Sequence, residues 1–132
     1  MTIVVGYIPN AQGEAALARA TREAQRDDDK LIVVNASRSD PLEGDKAIAS
    51  KERLATVRRQ LDEAGVAYDL HQPLRGGDPA DEIVRMADEH HASLIVIGLR
   101  HRSKVGKVIF GSTAQTVLLD AHCPVLAVKA KQ

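Results

Sequence analysis

The chain is poor in cysteine and in aromatic residues, and it has no long apolar run. Its single cysteine, Cys123, excludes an internal disulfide and is typical of a reducing compartment, so we expect a cytoplasmic location. Aromatic residues make up 2% of the chain, too few for a platform that stacks nucleic-acid bases. No apolar run approaches the roughly 20 residues of a membrane helix, and the N-terminus lacks the pattern of a signal peptide.

An excess of charge of either sign is also missing. The chain has 18 basic and 18 acidic residues, whereas a nucleic-acid-binding domain normally has a basic face. We therefore expect neither a nucleic acid nor a membrane as a partner. The length of 132 residues and the 44% apolar content are typical of a globular domain, so we expect a single domain over residues 1–132.

Strand-like and helix-like segments alternate along the chain. Short apolar runs predict strands at 3–7, 31–34, 66–74, 94–97 and 125–128. Apolar periodicity and capping signals predict helices at 13–26, 46–64, 80–90 and 112–120, and residues 35–44 read as a loop. Apolar strands separated by helices are typical of a parallel sheet covered on both faces. In such folds a ligand binds beyond the carboxyl ends of the strands, where the strand order reverses.

Two local signals predict helix ends. Asp78 followed by Pro79 is typical of an N-cap and the first helical position. Gly65 suits the position just after the C-terminus of the second helix.

The most informative stretch lies near the end of the chain. The fourth predicted strand stops at Gly98, a loop follows, and Gly111-Ser112 opens the last helix. Between Leu99 and Leu119 the only charged residues are basic, namely Arg100, Arg102, Lys104 and Lys107. Free backbone N–H groups at a helix start, a small hydroxyl and nearby cations together suit a polyanion such as a nucleotide phosphate.

Other chemistries have weaker support. Gly106-Lys107 suggests a Walker A loop, but that motif needs glycine at 101 and Ser or Thr at 108, where the chain has His101 and Val108. His122 and Cys123 are adjacent without further cysteines at metal-ligand spacing, so we expect no metal site in the protein itself. Ser112 has no His or Asp partner at recognisable spacing, so we assign no catalytic residue.

The chain resembles the universal stress protein family over essentially its full length. The resemblance is carried by the order of the elements, by residues 77–83 leading to 92–98, and by the closing segment 123–128. It is also carried by the family's nucleotide signature of glycine, two residues, glycine, nine residues, and glycine with serine or threonine. Gly98, His101 and Gly111-Ser112 keep that spacing.

The resemblance implies an α/β fold, a flavodoxin-like three-layer sandwich of the adenine-nucleotide α-hydrolase-like type with a five-stranded parallel sheet in the order 3-2-1-4-5. It implies a homodimer through the last strands, and ATP or AMP in the crevice between the first and fourth strands, with Mg²⁺ entering only with the nucleotide. Carried over by position, Gly98, Gly111 and Ser112 hold the phosphates and ribose. Thr113 offers a backbone N–H, and Ala36 contacts adenine through its main chain. Of the basic loop residues, one or two, such as Arg100, are expected to contact phosphate.

Two positions depart from the family's pattern. His101 replaces the middle glycine of the signature, which costs about 1–2 kcal/mol if the backbone needs a positive φ there, although its imidazole can donate to phosphate. Ile8 stands where the nucleotide-binding branch usually has an aspartate, and each lost hydrogen bond costs about 0.5–1.5 kcal/mol. Together these changes weaken binding by about ten- to a thousandfold.

Three functions remain open at this point. The first is a dimeric regulatory module of the stress response that binds an adenine nucleotide. The second is a dimeric stress or scaffold protein that has lost the ligand, which the changes at Ile8 and His101 favour. The third is a slow ATPase, which lacks a Walker A lysine and a carboxylate base in the loop.

Overall fold

The computed structural model describes residues 1–36, 44–72, 78–99 and 111–130. Strands and helices alternate in them as the sequence predicts. The strands are β1 (Thr2–Tyr7), β2 (Lys30–Asn35), β3 (Tyr68–His71), β4 (Leu94–Leu99) and β5 (Val125–Lys129). The helices are α1 (Ala11–Asp27), α2 (Gly44–Ala64), α3 (Pro79–Glu89) and α4 (Ser112–Asp120).

The five strands form one parallel sheet in the order β3-β2-β1-β4-β5, which confirms the expected order. β1 is central: Val4 pairs with Ile32 of β2 on one side and with Ile95 of β4 on the other. The chain moves outward from β1 to β3, then returns to the other side of β1 for β4. The reversal therefore lies between β1 and β4, the place where a doubly wound sheet opens a crevice.

The sheet separates two helical layers. Ile3 and Val5 of β1 belong to a core cluster that includes buried residues of α1 and α2. Val4, which points to the opposite face, belongs to a second cluster with buried residues of α3 and α4. The result is a three-layer sandwich, and both faces of the central strands are buried.

Several predicted boundaries were wrong. α1 begins at Ala11 rather than at residue 13, because Asn10 accepts a hydrogen bond from the Gly13 N–H and acts as its N-cap. The segment 35–44 is not wholly a loop, since Asn35 is buried at the end of β2 and Gly44 belongs to α2. The third strand is shorter than 66–74 and, as expected, less buried than its neighbours.

Both predicted helix ends are confirmed. Asp78 is the N-cap of α3, with Ala80 N–H donating to its Oδ1 at 2.9 Å, and Pro79 is the first helical residue. Gly65 follows α2 with a φ of 73°, in the left-handed region that glycine adopts without strain.

Candidate functional site

A cavity of about 610 Å³ opens at the carboxyl ends of β1, β2 and β4. Its volume lies in the range of about 300–1,000 Å³ that is usual for small-molecule sites. Loops after the strands and the first turns of α1 and α4 form its wall. The described residues that line it are Gly6, Ile8, Asn10, Gln12, Gly13, Ala36, Ile83, Ile97, Gly98, Gly111, Ser112, Thr113 and Ala114.

The cavity gathers residues that are far apart in the sequence but were predicted to share one site. Six of the eight predicted ligand-contacting positions line it: Ile8, Ala36, Gly98, Gly111, Ser112 and Thr113. The remaining two, Arg100 and His101, lie outside the described residues, as do Arg102, Lys104 and Lys107. The described wall is therefore uncharged.

The first turn of α4 contributes polar groups to this wall. Gly111 is its N-cap and makes no side-chain capping bond, and the first turn contains no acidic residue. Within the part of the chain that the structure describes, the N–H groups of Ser112, Thr113 and Ala114 have no acceptor. Unpaired N–H groups and the positive end of the helix dipole together favour an anion.

The first turn of α1 also lines the cavity but differs in chemistry. Its N-terminus is already capped, because Asn10 Oδ1 accepts from Gly13 N–H at 2.8 Å. The buried Tyr7 hydroxyl donates to Glu14 Oε1 at 2.6 Å and so ties the end of β1 to this turn. Burial, followed by the hydrogen bond to the Glu14 carboxylate, raises the pKa of Tyr7 well above its ordinary value, so the phenol stays protonated.

Two glycines allow the main chain to approach closely beside the cavity. A Cβ on Gly13 would lie 1.8 Å from the Ile8 carbonyl oxygen, and one on Gly98 would lie 2.2 Å from the Gln12 carbonyl oxygen. Neither distance is possible between real atoms, so both positions require glycine for packing. Gly98 therefore has a structural role in seating α1 against β4, whatever it contributes to a ligand.

Sequence reasoning missed part of the wall, including Gly6, Asn10, Gln12 and Gly13. Asn10 carried a usable signal, since an Asn just before an alanine-rich helical segment is typical of an N-cap. Gly13 carried none, because its contact with Ile8 depends on how the loop folds back.

Elsewhere, His90, His122 and Cys123 make ordinary contacts. His122 Nδ1 lies 3.1 Å from Asp88 Oδ1, and His90 ends α3 as its C-cap. Burial raises the pKa of the half-buried Cys123 thiol, and the negative charge of Asp88 adds to the effect.

Among residues 1–36, 44–72, 78–99 and 111–130, no group of three or more His, Cys, Asp and Glu side chains could hold a metal ion. None of the helices described is long and apolar enough to cross a membrane.

Comparisons with known proteins agree with this arrangement. A universal stress protein of Mycolicibacterium smegmatis is 41% identical over 127 residues, which cover 96% of each chain. A universal stress protein of Archaeoglobus fulgidus has a similar structure, with a TM-score of 0.81, 37% identity and 98% of each chain covered. A second, from the same organism and solved in complex with dAMP, gives a TM-score of 0.75 at 31% identity over 98% of each chain. The sequence model of the universal stress protein family matches residues 1–129, and the chain belongs to this family.

Proposed function

We propose that the protein binds an adenine nucleotide in the cavity between β1 and β4, with a phosphate on the first turn of α4. The observation that carries this proposal is the set of N–H groups of Ser112, Thr113 and Ala114, for which the described residues provide no acceptor and the N-cap Gly111 provides no side-chain cap. A similar protein, from Archaeoglobus fulgidus, was solved with dAMP, whose phosphate has the chemistry that such a helix start favours.

The remainder of the cavity suits a purine. Ile8, Ile83 and Ile97 provide an apolar wall, which favours a flat aromatic base. The Ala36 N–H donates to the Tyr7 carbonyl at 2.8 Å, so it is occupied. We therefore assign any main-chain contact from Ala36 to its carbonyl oxygen, which can accept from the adenine amino group.

The identity of the nucleotide is part of the proposal. We propose ATP or AMP, with Arg100 and His101 adding contacts to phosphate and Mg²⁺ arriving only with a triphosphate. Among the residues that the structure describes, no acceptor is found for three N–H groups of the first turn of α4, which are enough for one phosphate group. A second and third phosphate therefore need the basic loop residues, and a tighter affinity for ATP than for AMP would show that they contribute.

Isothermal titration with ATP and AMP tests the proposal. The Gly111→Val variant should abolish binding, because Gly111 lines the cavity directly before the α4 N–H groups and valine adds bulk at that position. Gly65→Asn is the matched control: Gly65 has open space around it, lies away from the cavity, and has a positive φ that Asn tolerates. The absence of heat with either nucleotide at millimolar concentration would refute the proposal, and so would unchanged binding by folded Gly111→Val.

We also propose that the protein forms a homodimer through β5. β5 is an edge strand of the sheet, and four of its five residues are half-buried apolar residues. Ile95 N–H donates to the Pro124 carbonyl at 3.0 Å. In a parallel pair every second residue directs its backbone groups toward the neighbouring strand. The backbone groups of Leu126 therefore also face β4, whereas those of Val125 and Ala127 face outward. An outward row of backbone groups is a template for pairing with a second copy.

Light scattering with an Ala127→Pro variant tests the dimer. Proline removes the outward N–H of residue 127 and leaves the ladder with β4 intact, as proline on an edge strand generally does. We expect a dimer for the unaltered protein and for the control Ala127→Ser, and a folded monomer for Ala127→Pro. A monomer at tens of micromolar for the unaltered protein would refute the proposal.

Together these features support a cytoplasmic, dimeric regulatory module whose nucleotide occupancy reports on the state of the cell. The cytoplasmic location remains a proposal that rests on the single cysteine. Cell fractionation tests it directly.

A further inference from the structure

Tyr7 is not one of the described residues of the cavity wall, yet it is joined to several of them. It stands between Gly6 and Ile8, which both line the cavity. Its carbonyl oxygen accepts from the N–H of Ala36, a third wall residue, at 2.8 Å. Its side chain is 1% exposed and belongs to the core cluster that includes buried residues of α1 and α2. A change at the end of this side chain can therefore reach the cavity without altering any group of the described wall.

The Tyr7 hydroxyl connects the end of β1 to the first turn of α1. It donates to Glu14 Oε1 at 2.6 Å, a distance typical of a hydrogen bond between a hydroxyl and a carboxylate. Such a bond is roughly twice as strong as one between neutral groups. Arg53 of α2 lies on the same carboxylate, with its Nη1 3.6 Å from Oε1. The acceptor of the Tyr7 hydroxyl is thus itself held in place by a neighbouring helix.

Tyr7 and Glu14 bracket the segment 8–13, which contributes a large part of the cavity wall. The wall residues of this segment are Ile8, Asn10, Gln12 and Gly13. Two hydrogen bonds inside the segment fix its own shape, from Asn10 N–H to the Ile8 carbonyl and from Gly13 N–H to Asn10 Oδ1. The bond between Tyr7 and Glu14 joins the residues on either side of it, so it fixes where the segment lies relative to β1.

We propose that Tyr7 and Glu14 form a positioning pair for the nucleotide, which holds segment 8–13 in the arrangement that the ligand meets. The inference rests on the proposed nucleotide-binding function. A wall that is already fixed does not have to be ordered when the ligand arrives, and ordering one side chain costs about two- to tenfold in affinity. Loss of the Tyr7 hydroxyl therefore weakens binding although every described wall group is still present.

Isothermal titration of Tyr7→Phe with AMP tests this inference, because the variant lacks only the hydroxyl. We expect its dissociation constant to rise by about three- to tenfold. Tyr68→Phe is the matched control, since Tyr68 is the other tyrosine of the chain and its hydroxyl donates to the Arg58 carbonyl at 3.3 Å. Neither Tyr68 nor Arg58 belongs to the described cavity wall, so Tyr68→Phe should bind AMP as the unaltered protein does.

Variants of Glu14 distinguish a positioning role from a purely structural one. Glu14→Gln keeps an oxygen that can accept from Tyr7, so its dissociation constant should stay within about twofold of the original. Glu14→Ala removes the acceptor and should lose as much affinity as Tyr7→Phe. The double variant Tyr7→Phe/Glu14→Ala should bind no more weakly than either single variant, because both changes remove the same bond. Losses that add in full in the double variant would show that the two residues do not act as a pair.

The outcomes separate this inference from the proposed function. If the unaltered protein and folded Tyr7→Phe bind AMP equally, nucleotide binding stands and the positioning role is refuted. The same conclusion follows if Tyr68→Phe loses as much affinity as Tyr7→Phe, since the effect is then not specific to segment 8–13. If the unaltered protein does not bind AMP, the proposed function fails, and this inference fails with it. Circular dichroism confirms that each variant is folded, and the two Tyr→Phe variants decide the matter even if Glu14→Ala does not fold.

Discussion

α3 and α4 pack against each other in the same layer, yet they begin in opposite ways. α3 satisfies its own N-terminus: Asp78 caps it, Pro79 removes one N–H, and Asp81 and Glu82 place negative charge in the first turn. α4 begins at Gly111 with no side-chain cap and no acidic residue. Capping and acidic residues stabilise a helix start. Their absence from α4 leaves N–H groups and positive potential at the one helix start of the two that lines the cavity.

The largest effect is expected for a variant in which α4 begins with a capping carboxylate, as α3 does. In Gly111→Asp the new carboxylate can accept from the α4 N–H groups as Asp78 does from Ala80. We expect nucleotide affinity to fall by more than about 100-fold, because the carboxylate occupies the anion position and repels phosphate. The free energy of unfolding without ligand should rise by about 0.5–1 kcal/mol from the new cap and charge. Titration and urea unfolding measure the two effects.

A fall in nucleotide affinity together with a rise in the free energy of unfolding distinguishes this result from damage to the helix. A variant that lost both affinity and stability would indicate a distorted α4 rather than a filled anion position. Gly111→Ala is the control, because it adds bulk without an acceptor.

The second test makes α3 resemble α4. Asp78→Ala removes the cap and should lower the free energy of unfolding by about 1 kcal/mol, without changing nucleotide affinity, because Asp78 is not part of the described cavity wall. Thermal unfolding and titration measure both quantities. Asp78→Ser keeps a capping oxygen and should stay close to the unaltered protein. A loss of affinity in Asp78→Ala would mean that the two helix starts are not independent.

The smallest expected effect is the pH dependence of stability that comes from Glu82 in the first turn of α3. The hydrogen bond from Arg85, followed by that from His71 at 2.6 Å, holds the pKa of Glu82 below its ordinary value of 4.5. A carboxyl whose pKa is lowered on folding stabilises the fold above its unfolded pKa, and this contribution is lost as pH falls through the folded pKa. Urea unfolding between pH 6 and pH 3 should therefore show a steeper loss of stability in the unaltered protein than in Glu82→Gln. Equal slopes would show that Glu82 does not contribute.

The sequence predicted the location of the cavity better than its shape. The rule that parallel strands bring their carboxyl ends to one edge was enough to place Ile8, Ala36 and Gly98 near Gly111, although they are distant in the chain. The order of strands and helices along the chain followed from apolar periodicity. The order of the strands within the sheet followed from the resemblance to the universal stress protein family. These features are encoded by local patterns or by topology.

The shape depends on contacts that no local pattern reveals. Gly13 looks like an unremarkable residue near a helix start, and its reason for being glycine is a carbonyl five residues earlier that folds back over it. Asn35 reads as the start of a polar loop, yet it is a buried strand residue whose Nδ2 donates to Gln72 Oε1 at 3.2 Å. In both cases a tertiary contact overrides the preference of the residue type.

The close main-chain contacts at Gly13 and Gly98 affect which substitutions the protein can accept during evolution. They join main chain to main chain, so the seat of α1 on the sheet does not depend on the side chains that face the cavity. Positions such as 8, 12 and 113 can exchange side chains while the framework around them stays in place. A lineage with this scaffold can acquire a new small-molecule preference one substitution at a time, without first having to evolve a new backbone.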